Sequence, residues 1–85
     1  MGLNKRQVSV KLGRKLKAIR KYLDLTQDAM VERLDCQSVR LNKGTIQKFE
    51  YGLREPSIVV LLQYARLAKV PMETLADDAM ELTLK

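Results

Sequence analysis

The chain has 85 residues, of which 16 are basic and 10 acidic, giving a formal net charge of +6 with no histidine at all. A chain this short buries only about 60–65% of the surface its unfolded form exposes, so it makes one domain with a small core and no deep catalytic cleft. The lone Cys36 forms no internal disulfide, and without histidine there is no set of soft ligands for zinc or iron, which fits a reducing cytoplasm and a protein with no metal or cofactor.

The charge is unevenly placed. Residues 1–22 hold eight Lys or Arg and no acid. Fifteen of the sixteen cations but only six of the ten acids precede residue 71, so residues 1–70 carry +9. Such a field suits a polyanionic partner. The longest apolar run, Ile58 to Leu62, is far below the roughly 20 residues that span a bilayer, and no signal-peptide apolar run follows the basic N-terminus. No membrane partner is expected.

In chain order, Leu12, Leu16, Ile19 and Leu23 recur on one face of a first helix starting near Ser9 or Val10, with cations on the other face. Thr26 is a good N-cap for a second short helix, in which Asp28 favours the positive end of the dipole and Met30 and Leu34 point inward to about residue 34. Residues 35–44 are polar and aperiodic. Asn42 can cap a third helix whose Ile46 and Phe49 lie on the buried side, and Gly52 is its natural stop. Pro56 and Ser57 restart the chain as a fourth helix, with Ile58, Leu61, Leu62, Ala65 and Ala68 as its apolar face. After Pro71, Met72, Leu75 and Ala76 predict a fifth short helix. Met80, Leu82 and Leu84 form an apolar tail with no evident home. Five helices and no strand-period segment predict a compact all-α domain over residues 1–85, its core at about 10–76 between a basic arm and an apolar, acidic tail.

Three segments together carry a resemblance: Leu25-Thr26-Gln27, the run Thr45-Ile46-Gln47-Lys48-Phe49-Glu50-Tyr51-Gly52, and Arg54-Glu55-Pro56 followed by Leu61-Leu62 and Tyr64-Ala65. Over residues 10–76 the chain resembles the Xre/Cro-type helix-turn-helix family of phage and bacterial repressors. The resemblance implies a lambda-repressor-like fold and a sequence-specific regulator, most simply a repressor, that reads double-stranded DNA with the helix over 43–51. In that family the residue matching Gln27 braces the DNA backbone, and those matching Lys43, Gly44, Gln47 and Lys48 face base edges. Asn42 and Thr45 open the same helix and belong to the candidate interface.

Lys43 and Lys48 can donate to guanine O6 and N7, and Gln47 can pair with adenine N6 and N7, whereas Gly44 offers only backbone or shape contact. Arg40 and Arg54 flank the helix and serve phosphate positioning. The positions of Arg20 and Glu50 are those that the family joins by an ion pair holding the third helix to the first. Two features depart from the family pattern. The turn before Thr45 is long, ten residues from Asp35 to Gly44, with Ser38 and Arg40 on it, and Val31 stands where a small Ala is usual.

An enzyme is not expected: there is no paired nucleophile and base, no Gly-rich phosphate loop and no metal set, and Asp77-Asp78 point in different directions on a helix. Tyr51, Tyr64 and Phe49 are packing or rim residues rather than a base-stacking platform. RNA remains an alternative on charge alone, although a protruding helix suits the DNA major groove better. Surplus apolar side chains in the tail, Met72, Leu75, Met80, Leu82 and Leu84, predict a homodimer closed through the tail. They equally allow an antitoxin or other protein-interaction module on the same fold. With no second domain to form a pocket, no small-molecule ligand is expected.

Overall fold

The computed structural model describes residues 10–34, 40–77 and 79–84; the basic arm over 1–9, and Cys36 and Ser38 of the long turn, lie outside them. Helix α1 spans Val10–Tyr22. Leu12, Leu16 and Ile19 sit on its inner face, fully or almost fully buried. Past its end comes Asp24, left-handed at φ 58, a conformation that a short polar side chain tolerates. The Leu25 N–H then donates to the Arg20 carbonyl at 3.1 Å and closes the helix end.

Helix α2 is Gln27–Leu34, and the Thr26 hydroxyl accepts from the Ala29 N–H at 3.1 Å. Helix α3 is Lys43–Tyr51. Helix α4, Ile58–Ala68, begins at Ser57, whose hydroxyl accepts from the Val60 N–H at 3.4 Å. Helix α5, Met72–Ala76, follows Pro71. Among the described residues all regular structure is helical, and the radius of gyration, 12.4 Å, is close to the roughly 12 Å of a compact chain this long. No helix among them is long and apolar enough to cross a membrane.

α1 lies chiefly along α3, α2 rests on α3 and α4, and α5 joins α4 back to α1. The core is built from Leu12, Leu16 and Ile19 of α1, Met30 and Leu34 of α2, Ile46 and Phe49 of α3, the inner face of α4, and Leu75 of α5.

Two expectations fail here. The buried face of α4 is Val60, Leu61, Tyr64, Ala65 and Ala68, while Ile58 and Leu62 face outward. The helix is apolar almost all round, so its periodicity does not choose a face, and packing against α2 and α5 does. The tail is also better housed than its composition implies. Leu75 is fully buried, Met72, Leu82 and Leu84 pack partly buried against the core, and only Met80 is exposed. The surplus of apolar surface that would close a dimer through the tail is therefore mostly spent within the chain.

Tyr64 is at the centre of the core rather than at its rim, fully buried, with no hydrogen-bond partner for its hydroxyl among the described residues. Burial pushes its phenol well above the usual 10.0; the nearby Glu50 carboxylate adds to the push and Arg20 opposes it. With the folded-state value above the unfolded one, the contribution to stability is complete below about pH 10 and is lost as the pH rises further. Tyr64→Phe removes an unsatisfied hydroxyl without opening a cavity. It is expected to leave stability at neutral pH unchanged or higher by up to about 1 kcal/mol, and to flatten the alkaline loss. Thermal melts of both proteins from pH 7 to about pH 11 check this. A neutral-pH loss beyond about 1 kcal/mol would mean that the hydroxyl has a partner.

Candidate nucleic-acid interface

α3 is fixed at both ends by local chemistry. Asn42 is extended, at φ −145 and ψ 177, and its Oδ1 accepts from the Thr45 N–H at 2.9 Å and from the Thr45 hydroxyl at 3.1 Å. Gly52, left-handed at φ 75, ends the helix, a conformation that costs glycine nothing. Between these caps the helix has two faces. Thr45, Ile46, Phe49 and Glu50 are buried, while Lys43, Gly44, Gln47, Lys48 and Tyr51 are exposed.

Glu50 is the polar anchor of the buried face, its side chain 2% exposed. Arg20 of α1 meets it side by side: Nε donates to Oε2 at 2.6 Å and Nη2 to Oε1 at 3.1 Å. The remaining arm of the guanidinium, Nη1, donates to the Leu25 carbonyl at 3.0 Å. The Gln27 amide nitrogen donates to Glu50 Oε1 at 3.3 Å. One carboxylate thus joins α1, the turn after it, the first residue of α2 and the end of α3. Its hydrogen bonds hold the Arg20 guanidinium above its ordinary pKa, against the opposing effect of burial.

Because Glu50, the one acid of α3, is turned inward and matched by Arg20, the outer face of the helix carries Lys43 and Lys48 with no acid of its own. Arg40 and Arg54 are exposed just before and just after the helix. The structure therefore brings Lys43, Gly44, Gln47 and Lys48 onto one surface between two arginines. Three predicted residues are placed differently. Thr45 is buried with its hydroxyl on Asn42, so it holds the helix start and offers nothing outward. The Asn42 oxygen is committed to the same cap. Gln27 is half-buried with its amide nitrogen on Glu50. Ser38 lies outside the described residues.

Two functional supports were missed in the sequence. Gly13, in the middle of α1, lets that helix lie against the end of α3: a Cβ there would stand 2.7 Å from the Glu50 carbonyl oxygen and 2.8 Å from that of Phe49. The signal was available, since glycine in a helix interior is costly without a packing reason. Lys15, counted among the cations of the outer face, is buried, and its Nζ donates to the carbonyls of Thr74 at 2.7 Å and Asp77 at 2.9 Å. These carbonyls lie at the C-terminal end of α5, where a cation is favoured, and the Asp77 oxygen also accepts from the Met80 N–H at 3.0 Å. Its place three residues after Leu12 and four before Ile19 puts it at the edge of the apolar face of α1, but nothing in the local pattern marks its partners.

An open groove of about 790 Å³ runs between Tyr22, Leu67, Val70 and Met80. No group of three or more His, Cys, Asp or Glu able to hold a metal ion occurs among the described residues. The described residues thus define an all-helical domain that presents one short helix with a cationic outer face. The chain matches no protein-family model and no curated protein sequence.

Proposed function

We propose that the protein binds double-stranded DNA in a sequence-specific way by seating the outer face of α3 in the major groove, and that it acts as a transcriptional regulator, most simply a repressor. The observation that carries this reading is the surface of Lys43, Gly44, Gln47 and Lys48 on a helix held to the body by the Arg20–Glu50 pair. A reading helix needs donors that match base edges and a fixed projection, and this one has both. Gly44 lets the backbone approach closely, and Arg40 and Arg54 flank the helix where phosphates pass on either side. The Gln27 amide, held by Glu50, sits at the N-terminus of α2, where a phosphate is also favoured. The resemblance to Xre/Cro repressors supports the same reading. The interaction-module alternative has lost most of its support, because the tail on which it rested packs on the core.

Selection from random DNA followed by binding measured over a range of salt concentrations tests the proposal. An enriched site is expected, with log K falling by about 0.9 per phosphate contact per tenfold salt. Lys48→Ala is expected to cost about 1–3 kcal/mol on that site with the melting temperature unchanged, and Arg54→Ala to reduce the salt slope by about one contact on any sequence. No enriched site, together with salt slopes unaltered in both variants, would overturn the reading.

A further inference from the structure

We infer that the outer face of α1 is a second surface for duplex DNA, one that grips the phosphate backbone without regard to sequence and acts apart from α3. Helix α1 carries six cations and no acid. Two of the six are spent inside the fold, Lys15 on the Thr74 and Asp77 carbonyls and Arg20 on Glu50 and the Leu25 carbonyl. The other four, Lys11, Arg14, Lys17 and Lys21, are all exposed. At about 100° of rotation per residue they share the side of the helix opposite Leu12, Leu16 and Ile19, with Val10 and Ala18 among them. Gly13 and Arg20, which face α3, stand roughly a quarter-turn away, so the four cations point neither at α3 nor at the core.

This arrangement works against the helix that carries it. Lys11 and Arg14, Arg14 and Lys17, and Lys17 and Lys21 are like charges three or four residues apart, and each such pair is destabilising. Lys11 also lies in the first turn, where the helix dipole favours an acid. Glu81 borders the face at Lys11 and Arg14 and Asp24 borders it at Lys21, one acid at each end. A polyanion laid along the row relieves all three repulsions together. Charge and shape identify that polyanion. From Lys11 to Lys21 the row is about 15 Å long, a distance over which one strand of a duplex passes about four phosphates. The face has the cations that position a backbone and no amide, hydroxyl or carboxylate side chain to accept from a base. A helix that lies in a membrane surface needs its apolar side free to enter the lipid, and here Leu12, Leu16 and Ile19 are buried in the core.

The inference stands apart from sequence reading by α3 and is tested on DNA of arbitrary sequence. The probe is a duplex of about 30 base pairs titrated over a range of salt concentrations. Lys17→Gln with Lys21→Gln is expected to lower the slope of log K against log salt by about 1.8, and Gln at all four positions to lower it by about 3.6, with affinity at about 0.1 M salt down at least tenfold. Circular dichroism is expected to be unchanged and the melting temperature equal or higher, since the side chains are exposed and their repulsions are removed. Lys43→Ala with Lys48→Ala is expected to keep a salt-dependent grip on the same duplex, which the four Gln substitutions then abolish. On a site selected through α3, the four-Gln variant is expected to bind more weakly yet to prefer that site over an unrelated duplex by the wild-type ratio. Slopes unaltered by both sets of α1 substitutions, or a site preference lost along with them, overturn the inference. So does retention on vesicles of anionic phospholipid at a salt concentration that releases the duplex. The absence of any selected site counts against the reading of α3 alone, so the two failures give different results.

Discussion

Glu50→Gln is expected to destabilise the protein by about 3 kcal/mol and, under the proposed function, to weaken DNA binding at the same time. The substitution keeps the shape of the side chain and removes its charge, leaving the Arg20 guanidinium beside a neutral amide in a site where Glu50 is 2% and Arg20 14% exposed. Breaking a buried pair by removing one partner costs about 3–5 kcal/mol, and the residual solvent at Arg20 places this pair at the lower end. For a chain of this size the melting temperature then falls by roughly 12–24 °C. Three donors converge on the carboxylate, from Arg20 and Gln27, and a Gln at this position cannot accept them all, so α3 loses its registry with α1 and α2 together. Calorimetry and a binding titration on the same variant check both effects. Replacing both partners by methionine is expected to recover much of the stability, since the cost comes from the stranded charge. A Glu50→Gln protein that melts like the wild type would show that the pair contributes no more than a surface ion pair.

The second large effect has a sign opposite to the ordinary rule. Gly→Ala inside a helix usually stabilises by about 0.5–1 kcal/mol through chain entropy. At Gly13 the new methyl group would meet two backbone carbonyl oxygens of α3 at 2.7 and 2.8 Å, and the Glu50 carbonyl carbon at 3.1 Å. These are not flexible side-chain ends that can swing aside. The Phe49 carbonyl already accepts from the Gly52 N–H at 3.2 Å, so moving it disturbs the helix stop as well. Gly13→Ala is expected to cost about 1–3 kcal/mol net, with DNA affinity reduced because α3 is pushed from α1. Denaturant melts decide it: a stabilised Gly13→Ala protein would mean that the two helices lie farther apart than described.

Much of the fold was legible because its boundaries are set by local chemistry. Thr26, Asn42, Gly52, Ser57 and Pro71 mark helix starts and stops through hydrogen bonds that reach only three or four residues. The outer face of α3 was legible for the same reason, since Ile46 and Phe49 fix which way Lys43, Gly44, Gln47 and Lys48 point. That register also turns Thr45 inward, one residue before Ile46 and four before Phe49, a consequence the resemblance obscured. The remainder depends on contacts distant in sequence. Which side of α4 is buried, where Leu82 and Leu84 rest, and why Lys15 is inside all depend on packing between segments up to about sixty residues apart. No pattern within one helix encodes such a partner.

The buried lysine has a consequence for how the chain acquires its shape during synthesis. Lys15 finds its acceptors at Thr74 and Asp77, with separations of 59 and 62 residues, and Arg20 finds Glu50 after 30. Synthesis proceeds at about 5–20 residues per second, so α1 waits several seconds before the carbonyls that receive its ammonium group exist. Until then the first helix to be made has an apolar face with nothing to cover it and two cations destined for the interior but still in water. Whatever structure α1 takes up before then lacks these partners, and the contacts of Lys15 can form only once α5 has been made.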